Sequence, residues 1–130
     1  MGSVQDRRGS LRVMKKISIT DGSTVLYACL NDTLAAADLE ERLPCKFNVT
    51  DSGTDLCGPA PRGVYDPMEL QTGWKNGDLS LCDGWFAILY AGQEDSKAYG
   101  HMIIVGHLEE ASLEKVRELP AHVTLRVDLA

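Results

Sequence analysis

A chain of 130 residues, 44% of them hydrophobic, is long enough for one domain with its own core, and no run of about 20 apolar residues is present, so no membrane-spanning helix and no membrane partner are expected. The net charge of −6 is unevenly spread: residues 1–16 hold five basic side chains against one acidic, which leaves residues 17–130 with 8 basic and 18 acidic. A body that acidic repels phosphate backbones, which excludes nucleic acid as a natural partner.

Residues 1–13 show neither apolar periodicity nor the h-region of a signal peptide, and read as a disordered tail, or a segment foreign to the native chain, ahead of a domain spanning 14–130. Ile17 and Ile19, then Val25 through Leu30, are two β-rich runs around Asp21-Gly22, which predicts a hairpin with a type I′ turn. Asn31 or Thr33 caps a following helix whose Ala35, Ala36, Leu39 and Leu43 fall at helical spacing, and Pro44 stops it. Cys45, Phe47 and Val49 alternate with Lys46, Asn48 and Thr50, as in a third strand.

Residues 51–77, with three prolines and five glycines, read as a long loop containing one short strand near Asp55 to Tyr65. Such loops are often functional, because a binding surface there varies without disturbing the core. Asp78 to Cys82, the Asp83-Gly84 turn and Trp85 to Ala91 predict a second hairpin, whose Trp85–Tyr90 run is the most apolar in the chain and belongs in a central strand. His101 to Val105 predict another strand, broken at Gly106 by a bulge or tight corner. Leu113, Val116 and Leu119 mark a second helix ended by Pro120. Last comes a strand with Val123, Leu125, Val127 and Leu129 inward and Thr124, Arg126 and Asp128 outward. Short, evenly spaced strands with one apolar face bury it best by curling up. The predicted fold is therefore mainly β, a closed eight-stranded antiparallel β-barrel with two capping helices.

Cys29, Cys45, Cys57 and Cys82 include no Cys-x-x-Cys pair and no histidine at ligand spacing, so neither a metal nor a cofactor is expected. Without a secretory signal they read as reduced cytoplasmic thiols, and the Asn-x-Thr triplets at Asn31 and Asn48 as chance matches. His101 and His107, read on one strand, would stand about 20 Å apart at roughly 3.3 Å per residue, too far to share a metal.

This element order, with Asn76-Gly77-Asp78-Leu79 leading into a Trp-Phe-Ala-Ile strand and Gly106-His107-Leu108-Glu109 leading into a short helix, resembles the cyclophilin fold, and in particular small bacterial cyclophilin-like domains. The resemblance covers residues 15–129. It implies a groove on the outer barrel wall where cyclophilins grip a proline-containing peptide, and catalysis there needs a cationic donor to hold the twisted amide beside an apolar pocket. Cyclophilins carry an aromatic residue followed two positions later by arginine on the third strand, where this chain has Phe47 and Val49. A glutamine and two phenylalanines of the family are matched here by Trp85, Phe86 and Ala87, and the family's loop tryptophan by Tyr99. Those departures argue against efficient prolyl isomerase activity.

Arg62 is the one arginine of the long loop and so the candidate cation, although most loop arginines are simply solvated. With Phe47, Tyr65, Met68, Gln71 and Trp85 it forms the expected ligand-binding set. Trp85, opening the most hydrophobic strand, reads first as a packing residue, whose loss on truncation would then be about 3–5 kcal/mol. The leading expectation is a domain that binds an extended peptide or small ligand in an outer groove. The alternatives are a weak peptidyl-prolyl cis-trans isomerase using Arg62 and a self-associating subunit, a homodimer paired through a strand edge.

Overall fold

Ile17 and Ile19 near the start of the chain and Leu125 and Val127 near its end are all fully buried, and they face the same interior because their strands pair. The computed structural model describes residues 15–130; the expectations for residues 1–13 lie outside them. Its strands are β1 (Lys15–Thr20), β2 (Val25–Leu30), β3 (Cys45–Asp51), β4 (Asp55–Pro59), β5 (Asp78–Cys82), β6 (Trp85–Leu89), β7 (Ile104–Leu108) and β8 (His122–Leu129). They close into an antiparallel barrel in the order β1-β2-β7-β5-β6-β4-β3-β8. Alternation gives each strand one wet and one dry face, and closure lets eight short strands share a single core.

Two helices complete that core. In α1 (Leu34–Arg42), Thr33 is the N-cap, its hydroxyl accepting the Ala36 N–H at 3.1 Å, and Ala35, Ala36 and Leu39 are buried. Asn31 supports the cap by accepting the Thr33 N–H and by donating to the Ile104 carbonyl. The second helix, α2 (Glu110–Lys115), is shorter than its spacing implied and tightens into a 3₁₀ turn at Val116–Glu118, which buries Val116 with the barrel core. Ser112 of α2 accepts the Tyr27 N–H at 2.8 Å and ties it to β2.

Two glycines stand where strands approach too closely for a side chain. A Cβ on Gly106 would lie 2.5 Å from the Cys29 carbonyl oxygen, and one on Gly58 would run into the Asn48 carbonyl. The β5–β7 register shifts at Leu79/Ser80, where one step on β5 spans the two steps from Gly106 to Ile104 on β7, so the bulge expected beside Gly106 is present on its own strand.

Several expectations are corrected. The type I′ geometry belongs to Asp83-Gly84, where φ is +55° and +86°, and not to Asp21-Gly22, where only the glycine has positive φ. The first hairpin has a four-residue loop, in which Asp21 accepts the Ser23 and Thr24 amides, so no primed two-residue turn is needed. His101 is in the left-handed region at φ +59° and precedes β7, so the two histidines do not share a strand. Leu129 is half exposed and Val123 only partly buried, because both lie toward the ends of β8. Closure gives every strand two hydrogen-bonded neighbours. None of the described helices is long and apolar enough to cross a membrane.

Candidate functional site

The residues expected to bind ligand do not converge on one groove. Phe47 points inward, 3% exposed, stacked on Phe86 with ring centroids 4.3 Å apart. It reaches a surface only in a cleft of about 330 Å³ beneath α1, beside Leu39 and Arg42. Arg62 is solvated and faces Asp83 at 3.3 Å, beside the second hairpin turn. Tyr65 packs partly against the core, and Met68 stands 89% exposed on a 3₁₀ turn. Trp85 is 58% exposed, which corrects its reading as a packing residue: Phe86 and Ile88 take the inward positions of β6, so Trp85 must point outward. None of these candidates lines the larger groove on the barrel's outer face; Gln71 only braces its wall, through backbone hydrogen bonds to Met102.

That groove has a volume of about 550 Å³ and lies on the outer face of β4, β5 and β6. Cross-strand register explains its floor: Cys57, Ala87 and Ser80 lie in one outward row and Asp55, Leu89 and Asp78 in the next. Ala87 and Leu89 are outward yet buried, 9% and 5% exposed, because two loop segments lie over the sheet. Those segments are laced together. Gln71 and Met102 exchange backbone hydrogen bonds of 2.8 and 3.2 Å, and the Gly73 N–H donates to the Tyr99 carbonyl at 2.9 Å. The result is a short second layer outside the barrel, with Trp74, Tyr99 and Met102 facing the groove.

Trp74 is held on several sides. Its indole N–H donates to the Ala91 carbonyl at 3.0 Å, its backbone N–H donates to the Ser96 hydroxyl at 3.0 Å, and its ring edge lies against Gly92, where φ is +87°. Ser96, itself buried, donates in turn to the Gln93 carbonyl. The Tyr99 ring stands 5.8 Å from Trp74 at a 35° tilt. The sequence reading missed Trp74; its signal was a tryptophan in a glycine-rich loop, outside any apolar run.

The polar side of the groove is acidic. Asp55 and Asp95 line it with Ser52 and Thr54, and none of its described lining residues is basic. The β3–β4 turn carrying Ser52 and Thr54 is anchored by Tyr90, whose hydroxyl donates to Asp51 at 2.6 Å. Partial burial and that bond push the Tyr90 phenol up to about 12, and the Tyr90 and Gly53 donors hold the Asp51 carboxyl below its usual range. Nearby, buried Asp78 accepts from His107 Nδ1 at 2.7 Å and from the Lys75 N–H at 2.8 Å, joining β7 to the loop that carries Trp74.

The four cysteines form no disulfide, and burial raises the thiols of Cys45, Cys57 and Cys82, which disfavours their thiolate forms. Among the described residues no group of three His, Cys, Asp or Glu side chains is placed to hold a metal ion.

Comparison with known proteins agrees with this architecture. No curated protein matches the sequence. The chain is similar in structure to a hypothetical protein from Archaeoglobus fulgidus determined in solution, with a TM-score of 0.67 at 13% identity, covering 94% of this chain and 99% of that one, a likeness of fold. The model of the cyclophilin-like family matches residues 19–128, from β1 through β8. The chain belongs to the cyclophilin-like family.

Proposed function

We propose that this protein is a binding module that holds an extended peptide or small ligand in the outer groove, with little or no prolyl isomerase activity. The observation that carries this reading is the groove itself: a large concavity floored by Ala87 and Leu89 with Ser80 and Asp55 beside them, and walled by Trp74, whose indole N–H is anchored, next to Tyr99. Preformed, mostly apolar clefts with a few placed polar groups are the usual form of a ligand site. The anchored Trp74 ring in particular loses little entropy on binding.

Isomerisation asks for more. The twisted amide has to be held across a barrier of roughly 18–20 kcal/mol, and the cationic donor suited to that is lacking among the groove's described lining residues. Arg62 is engaged with Asp83 beside the second hairpin turn and is not among the groove's residues.

The test is a titration of acetyl-Ala-Ala-Pro-Phe-amide into isotope-labelled protein. Saturable shifts are expected at the Trp74 indole N–H and the amides of Ala87, Leu89 and Tyr99, with none at Arg62, and Trp74→Ala should remove them. Exchange spectroscopy on the same peptide should show cis-trans interconversion at its uncatalysed pace of tens of seconds or longer. Acceleration at catalytic protein concentration, lost in Arg62→Ala, would instead establish the isomerase, and an absence of shifts would remove the groove as a site.

A further inference from the structure

Resting on the binding reading above, we infer that the groove selects ligands carrying a cationic head, a guanidinium or alkylammonium group seated beside Trp74 and Tyr99 and balanced by Asp55 and Asp95. The aromatic pair supplies the first argument. Trp74 is anchored through its indole N–H, the Tyr99 ring stands 5.8 Å from it and is 60% exposed, and both line the groove, so aromatic surface borders the void. Such surface attracts a cation through the negative face of the ring, and more strongly where the cation sheds part of its water.

Charge supplies the second argument, and it acts in one direction. Two carboxylates line the groove and no described lining residue is basic. Lys75 and Lys97 line a neighbouring cleft that shares only Trp74 with this one. A neutral ligand would fill the apolar floor of Ala87 and Leu89 but leave both carboxylates without a counter-charge. A ligand with an apolar stem and a cationic end satisfies both parts. At longer range, the excess of acidic residues over 17–130 raises the concentration of cations at the surface.

The experiment compares acetyl-Ala-Arg-Pro-amide with the same peptide carrying citrulline, which keeps the shape of arginine and removes its charge. The arginine peptide should bind about tenfold more tightly, as one cation–aromatic contact reinforced by a carboxylate would produce. The preference should shrink toward one in Asp95→Asn, whose exposed site on a 3₁₀ turn tolerates the change, and in Asp55→Asn. Added salt should weaken the arginine peptide and leave the citrulline peptide nearly unaffected. Competition by agmatine as strong as that of the peptide would place the cation on a free small molecule, and weak competition would place it on a side chain of a longer chain. Equal affinity of the two peptides overturns the cation inference and leaves the groove reading standing. If neither peptide nor agmatine binds, both fall.

Discussion

Neighbouring aromatic residues on β6 have opposite fates, and alternation decides which. Phe86 is 1% exposed and stacks on Phe47 in the core, so Phe86→Ala should lower stability by about 3–5 kcal/mol, read as a shift in denaturant midpoint. Trp85→Ala should cost less than about 1 kcal/mol, since its ring is largely in water already. Tyr90 offers a residue whose effect is read by pH. Its folded phenol titrates at about 12 against an ordinary 10.0, so the folded state retains the proton that the unfolded chain gives up. Stability from this group is therefore complete below pH 10 and is lost as pH rises toward 12. Subtracting the pH–stability curve of Tyr90→Phe should isolate that loss, and Asp51→Asn should move the phenol, followed by ultraviolet absorbance, back toward its ordinary value. At this scale the sequence was least legible. Phe47 was readable as one face of an alternating strand, but which face looked inward depended on where β3 sits in the barrel. Trp74 and Tyr99 acquire a role only because residues far apart in the chain exchange backbone hydrogen bonds.

Elements were legible wherever a local rule governed them. Of the two caps the sequence offered, Asn31 or Thr33, it is Thr33 that caps α1, and Thr33→Ala should cost about 1 kcal/mol in thermal or denaturant unfolding. Alternation placed β3 and most of β8 correctly, and the Asp-Gly signal located both hairpins, but the type I′ turn it assigned to Asp21-Gly22 occurs at Asp83-Gly84 instead. The two Asp-Gly pairs differ in loop length, which depends on how the strands pair. Gly106 is a sharper case. The sequence marked it as a bulge or tight corner, and the bulge is present, but its tightest constraint is the Cys29 carbonyl, on a strand paired across the sheet. Gly106→Ala should cost about 1–3 kcal/mol or more by overpacking, whereas Gly22→Ala, in open space, should show only the smaller penalty of its positive φ.

At the scale of the whole molecule, closure separates the scaffold from the site. Every strand has hydrogen-bonded neighbours on both sides, so neither the first nor the last can peel away without opening the barrel. The groove wall is different: segments 71–74 and 99–102 are joined by a few backbone bonds outside the core, near exposed side chains. Binding elements are often drawn from such low-stability regions, because they can adjust while the scaffold holds its register. Native-state hydrogen exchange should resolve the two. Amides of Ile19, Leu125 and Val127 should exchange only through global unfolding, with one common free energy. The Gly73 and Met102 amides should exchange through local opening at a free energy several kcal/mol lower, and a bound ligand should raise their protection ahead of any other amides. Exchange of β8 well below the global limit would instead make the β1–β8 seam the weak point, and the groove would then rest on a scaffold that breathes with it.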